Sequence, residues 1–279
     1  MLNHGLVSIF AFADDQKPVP IGTGFITAAF GDRAVGSTAA HIFTEVLRLQ
    51  KVGPKPHPTA LREFLPKGAP LDLDRKKLRA MCWEDGKIEF AYFDWVIWDE
   101  RADLAFFGIH VQDSSDPNFF RTNLLLDHER PEVDAEVGVL GYHDMKVLSF
   151  DKEQNKGSIS RELVMRIGRV TAYYPEGYAL CRSASIETTI PIFPGMSGAP
   201  VMKFVKGGQI LPFGVMSSDP ETPHKWDRSV PGQSIVPLIR PVIELSPSGQ
   251  RSTMLTLDSG IMAGTEWVGD EQTLGADSR

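Results

Sequence analysis

The stretch Phe193-Pro194-Gly195-Met196-Ser197-Gly198-Ala199-Pro200-Val201 sets a serine between two glycines, with a proline on either flank. Glycine reaches backbone angles closed to other residues and proline fixes its own, so this spacing forces a sharp turn rather than a strand or helix. Such a turn presents the Ser197 hydroxyl and leaves backbone N–H groups beside it unpaired. Those are the needs of a serine nucleophile: an accessible oxygen, and donors for the charge that develops on an attacked carbonyl. A hydroxyl is a weak nucleophile until a base takes its proton, and that base must be held by a third group. His41, behind the small residues Thr38-Ala39-Ala40, and Asp103, at the head of the apolar run Leu104-Ala105-Phe106-Phe107-Gly108-Ile109, supply the pair. Singly, each has a plainer reading: a glycine-rich turn, a core histidine, a strand cap. Their joint occurrence points to acyl transfer.

These groups need a scaffold that gathers three distant segments. Short apolar runs divided by turns, in a chain with 25 Gly and 20 Pro, predict an all-β protein. Strands are expected over 5–12, 22–27 and 34–38, the last running into His41 and a short helical stretch to Leu49. The segment 51–77 holds Pro54, Pro56, Pro58, Pro66 and Pro70 and predicts a long surface excursion with one helical turn near 60–65. Strands resume over 87–92, 95–98 and 103–109, and the polar stretch 113–132 reads as a connection. The second half is expected to hold strands over 135–142, 163–173 and 185–190, with a polar hairpin tip at 151–160. A hairpin over 201–205 and 210–217 follows, and 235–245 suggests a final strand and a short helix. Residues 1–125 thus form one half, carrying His41 and Asp103, with a proline-rich insertion at about 51–80. Residues 126–250 form the other half, carrying Ser197. Residues 251–279 form a partly disordered tail, expected to dock loosely or tether a partner.

Composition narrows the function classes. Hydrophobic residues make up 42% and charged residues 23%, as in ordinary globular domains. A net charge of −7 argues against nucleic acid as a partner. The one basic run, Arg75 to Arg79, reads as a solvated face. No apolar run reaches the length of a membrane span, so no membrane partner is expected. Cys82 and Cys181 are the only cysteines and read as free thiols of a reducing compartment, the cytoplasm. The apolar segment 6–13 ends in Ala11-Phe12-Ala13, but no Lys or Arg precedes it and it is short for a signal peptide, so a first strand is the better reading. The histidines are scattered without H-E-x-x-H or C-x-x-C spacing, which predicts no metal and no cofactor.

The order His41, Asp103, Ser197 is that of chymotrypsin-like enzymes, not of subtilisin or the α/β-hydrolases. Thr38-Ala39-Ala40-His41 resembles the T-A-A-H of trypsin-like serine peptidases, Asp103-Leu104-Ala105 their D-[IL]-A, and Gly195-Met196-Ser197-Gly198-Ala199-Pro200 their G-[DN]-S-G-G-P. Ile186 through Pro200 is similar without a gap to the corresponding HtrA/DegP-type segment, and Gly141-Tyr142 to a recurrent feature of the second barrel. The resemblance spans roughly residues 5–246 and stops at the protease unit, with no PDZ-like domain. It implies two six-stranded antiparallel β-barrels with the active site in the cleft between them. It further implies Ser197 as nucleophile, His41 as general base and acid, Asp103 as its orienter, and the N–H groups of Gly195 and Ser197 as the oxyanion hole. Ser217 falls where the family carries a serine beside that aspartate. Ser217, Ser218 and Asp219 match the strip that pairs with an extended peptide.

Departures from the pattern sharpen the expectation. Met196 stands where activated digestive proteases keep an aspartate, so activation through a newly cut N-terminus is not expected. Ile190, Ile192 and Phe193 around the expected primary pocket, with no acidic residue, predict a small or medium apolar side chain before the scissile bond. The partner expected is a protein or peptide substrate, and an activating or regulatory protein is left open. Two rivals stand beside this reading. An α/β-hydrolase would need a helix directly after Ser197, where Pro200 and β-formers follow. A catalytically silent fold serving as a binding module has no physical need for all three groups.

Overall fold

The computed structural model describes residues 5–12, 18–51, 73–84, 87–99, 101–111, 116–122, 124–127, 129–151, 156–178, 181–205, 208–217, 234–239, 242–245 and 251–254. The first half gives strands β1 (Leu6–Phe12), β2 (Pro18–Phe30), β3 (Arg33–Thr38), β4 (Leu78–Glu84), β5 (Lys87–Asp99) and β6 (Leu104–Val111), with helix α1 (Ala40–Lys51) after β3. They close into an antiparallel barrel in the order β1-β2-β3-β6-β5-β4, with β4 returning to β1. Ile9, Phe25, Leu78 and Phe107 are fully buried in its core, as apolar side chains on a closed sheet must be. Helix α1 buries Ile42, Phe43, Val46 and Leu47, one apolar stripe at helical spacing. Phe43 stacks on Trp98, 5.9 Å between centroids, and meets Phe93 edge-on. That packing fixes the first turn of the helix, and with it His41.

The second half gives β7 (Glu136–Asp151), β8 (Lys156–Tyr174), β9 (Ser185–Thr188), β10 (Pro200–Val205), β11 (Gln209–Val215) and β12 (Ser234–Pro237). They form a six-stranded antiparallel sheet in the order β11-β10-β7-β8-β9-β12. Single bridges from Gly214 to Leu238 and from Ser217 to Ile235 bring β12 back to β11, so this barrel is nearly closed. Two six-stranded antiparallel barrels are the architecture that the trypsin-like resemblance implies. A separate hairpin pairs β13 (Val242–Leu245) with β14 (Arg251–Met254).

Five elements differ from the sequence expectation. β4 starts inside the stretch assigned to the insertion and runs on where no strand was expected: its Leu78, Ala80 and Cys82 are buried, but alternate with few β-branched residues beside a basic run. β5 is one strand rather than two, bent by a bulge between Phe93 and Trp95. β7 and β8 extend well past the expected strand ends into a long two-stranded arm. Its polar composition suits a ribbon with one face in solvent, while the other face packs on the first barrel. There Phe150 meets Phe12 at 5.6 Å and Arg161 donates to Ser8 Oγ at 2.8 Å. The short helix expected before Leu245 is instead β13: Pro241 interrupts the backbone donors and Val242 and Ile243 favour extended backbone. The helical turn near 60–65, and the tail beyond Met254, lie outside the described residues. Among the described residues, no helix is long and apolar enough to cross a membrane.

Candidate active site

The Ser197 segment folds as two consecutive tight turns. Met196 N–H donates to Phe193 O at 3.0 Å, with Pro194 and Gly195 as the central pair and Gly195 at φ +93. Ala199 N–H donates to Met196 O at 3.0 Å, with Ser197 and Gly198 central and Gly198 at φ +83. Each glycine takes the left-handed angle that the third position of a type II turn demands, and proline presets the second position. A side chain on Gly198 would overlap Thr23 O and Thr38 Oγ1. Met196, at the joint, is fully buried in the second barrel's core, which suits an apolar residue and would not suit the aspartate that activated digestive proteases keep at this place. Pro194 O accepts from Asp144 N at 3.4 Å. Because a trans peptide sets N–H opposite C=O, the Gly195 N–H points away from that contact. Among the described residues, the N–H groups of Gly195 and Ser197 donate to no internal acceptor.

The first barrel holds this turn. Thr23 N donates to Ser197 O at 2.8 Å, Thr23 Oγ1 donates to Gly195 O at 2.6 Å, and Thr38 Oγ1 donates to Thr23 O at 2.7 Å. Thr23 Oγ1 also accepts from Tyr142 N at 3.2 Å. Thr23 and Thr38 are fully buried. Sequence reasoning passed over both; the available signal was a threonine enclosed by glycines in Gly22-Thr23-Gly24, where backbones approach closely.

His41 and Asp103 meet across the start of α1. Asp103 Oδ1 accepts from His41 N at 2.8 Å, and Oδ2 lies 2.9 Å from His41 Nδ1. Ser217 Oγ donates to the same Oδ2. Burial works to raise the Asp103 pKa. The charge on His41, and hydrogen bonds from His41 and Ser217, outweigh it and hold the carboxyl below its ordinary range. An ionised carboxylate can only accept, so Nδ1 carries the proton and Nε2 is the basic nitrogen of the ring.

A second carboxylate shapes the turn that delivers Asp103. Asp103 sits at φ +52, uncommon for a residue with a side chain. Asp99, nearly buried at the end of β5, accepts from Arg101 N at 2.8 Å and Ala102 N at 3.3 Å through Oδ1. From the second barrel, Arg182 N donates to Arg101 O and Cys181 Sγ to Ala102 O at 3.8 Å. Both polar faces of the turn are therefore engaged.

The fold gathers the remaining predicted residues unevenly. Ser217 is fully buried and its side chain is committed to Asp103. Met216 on its other side exchanges bonds with Gly198 and Ala199, both at 2.8 Å, so Ser217 flanks the serine turn. Ile192 and Phe193 are half-buried and pack against the second barrel's core. Ser218 and Asp219 lie outside the described residues. Both cysteines are free and buried.

Comparison of the whole fold finds similar solved structures. The protease Rv3671c from M. tuberculosis, in its active form, is 18% identical, with 85% of this chain and 76% of that chain covered and a TM-score of 0.45. The thermostable serine protease AL20 from an extremophilic microorganism is 13% identical, over 85% and 91% of the two chains, at a TM-score of 0.47. The protease Anisep from Arthrobacter nicotinovorans is 12% identical, over 84% and 90%, at 0.46. No protein-family model matches the chain, and no curated protein sequence does.

Proposed function

We propose that the protein is a serine endopeptidase acting through Ser197, His41 and Asp103. The observation that carries this reading is the buried Asp103 carboxylate, bonded to the His41 backbone, the His41 ring and Ser217. That arrangement serves to keep a neutral imidazole in one tautomer and to stabilise its cation. The serine turn held on Thr23 supports the rest. His41 Nε2 takes the Ser197 proton as Oγ attacks the scissile carbonyl. The N–H groups of Gly195 and Ser197 receive the oxyanion; losing one such donor costs roughly 10²–10³ in kcat. The tetrahedral intermediate expels the amine, which takes its proton from His41. Water, activated by the same base, then hydrolyses the acyl-enzyme.

The substrate in this reading is a protein or peptide chain, lying on the strip from Ser217 to Asp219 with the residues before the scissile bond. Ile190, Ile192 and Phe193 favour a small or medium apolar side chain immediately before it. Residues 1–125 and 126–250 are the two halves of the enzyme. We place it in the cytoplasm, where two buried thiols without a bridge are the ordinary state. The test is labelling by a fluorophosphonate probe. Native protein is expected to label, and Ser197→Ala and His41→Ala to lose the signal. A folded native chain that does not label would overturn catalysis in favour of the binding module.

A further inference from the structure

Strand β8 is an inner strand at one end and a bare edge at the other. From Lys156 to Arg169, β7 covers one of its sides. β9 covers the other side only from Val170 to Tyr174. Thr189 closes that side at Arg169, its N–H donating to Arg169 O and its Oγ1 accepting from Arg169 N, both at 3.0 Å. Val170 N turns the opposite way, to Ala135 O at 3.1 Å. Backbone groups alternate in direction along a strand, so Leu163, Met165 and Ile167 present their N–H and C=O groups to the uncovered side. Among the described residues, no strand takes them. The chain after Thr189 crosses one face of the β7–β8 pair instead: Ile190 lies at Gly168, Phe193 over Arg166, and Gly195 against Tyr142 O.

The two faces of this edge differ. Leu163, Met165 and Ile167 form an exposed apolar stripe on one. On the other, Glu162 is exposed and Arg166 is half-buried, its guanidinium carbon 4.1 Å from the centre of the Phe193 ring. Arg166 Nε is shut off from solvent without a hydrogen-bond partner, and no carboxylate among the described residues pairs with it. A long edge with one apolar face, and without Pro, Lys or a bulge from Glu162 to Gly168, is a template for another strand. We infer that this strand is β8 of a second copy of the chain, paired antiparallel about a twofold axis at Val164. The sequence selects that register. A pairing centred on a residue sets outward-pointing groups opposite one another. Centred on Val164, it places Glu162 opposite the partner's Arg166, twice, and Leu163 opposite the partner's Met165, twice. Centred on Met165, it would set Arg161 against Arg169; on Arg166, arginine against itself; on Leu163, Arg166 against Ser160. Glu162 and Arg166 fall at the closely spaced positions of the ladder, where side chains meet best. Each copy thus supplies the carboxylate that the other's Arg166 lacks. This inference goes beyond the peptidase reading and does not depend on it.

Sedimentation equilibrium of the full chain tests it. The native protein is expected to form dimers. Arg166→Glu and Glu162→Arg each set like charges opposite one another at both pairs, and each should weaken dimerisation by roughly 10–100-fold. Mixed in equal amounts, the two variants restore opposite charges at both pairs of a heterodimer, so the dimer should return. The double variant, with the charges exchanged within one chain, should also dimerise as the native protein does. Met165→Pro removes one outward N–H and leaves the β7 ladder intact, as proline does on an edge strand; it should abolish the dimer. A native chain that stays monomeric would overturn the inference. So would dimers that ignore either charge reversal or survive Met165→Pro, and so would charge-reversed variants that recover neither on mixing nor in combination.

Discussion

Among the described residues, two histidines hold an aspartate through Nδ1, and the contrast between them is instructive. His110 lies 2.6 Å from Asp94 and His41 lies 2.9 Å from Asp103, so distance alone would favour the wrong pair. Asp94 stands at the β5 bulge on the outer wall of the first barrel, its side chain 28% exposed and 3.8 Å from Arg33. The Asp103 side chain is 2% exposed, with one oxygen on the His41 backbone and the other shared by His41 and Ser217. His110 is steadied by a ring, Tyr92, stacked at 5.6 Å, whereas His41 is fixed through its main chain by a packed helix. A partly exposed pair is screened more than an enclosed one and contributes less. What separates the pairs is enclosure and the number of donors that converge on one carboxylate.

The sharpest way to break the comparison is to neutralise each acid. Asp103→Asn is expected to lower kcat by about 10⁴, the cost of the wrong imidazole tautomer in such a triad. Asp94→Asn should change kcat by less than about twofold, as for a partly screened pair on the barrel wall; comparable losses in steady-state ester hydrolysis would erase the distinction. A smaller effect is expected one step back. Asp99→Ala frees the turn that delivers Asp103 and should cost roughly 10–100-fold in kcat with little change in KM. Asp99→Asn keeps an acceptor oxygen and should recover most of it. A rise in KM with kcat unchanged would mean that Asp99 serves substrate binding instead. The mildest difference concerns stability in acid. The folded pKa of Asp103 is depressed, so its contribution is present above the unfolded carboxylate value and is lost as pH falls through the folded one. Asp103→Asn should therefore flatten the acid limb of a stability-against-pH curve followed by denaturant melts. An unchanged limb would show that other carboxylates govern it.

The serine turn and the barrel strands were legible because their signals are local. Pro-Gly and Ser-Gly specify their own turn geometry, and alternation marks a half-buried strand wherever it lies in the chain. The reach of the β7–β8 arm was hidden because its outer residues are polar, and polar alternation reads equally well as a loop. Thr23, Thr38 and Asp99 were hidden for another reason: their partners are distant in sequence or are backbone groups, which leave no residue-type signature. Ser217 was found only through resemblance, since a serine that bonds a buried carboxylate looks like any other until the fold brings them together.

The cross-bracing between the halves has a practical consequence. The first barrel grips the Ser197 turn through Thr23, while the second grips Asp103 through Ser217 and its turn through Cys181 and Arg182. Neither half holds its own part of the site unaided. On the proposed peptidase reading, two halves produced as separate pieces would each be silent and would gain activity only on meeting, which gives the molecule the wiring of a split reporter for proximity.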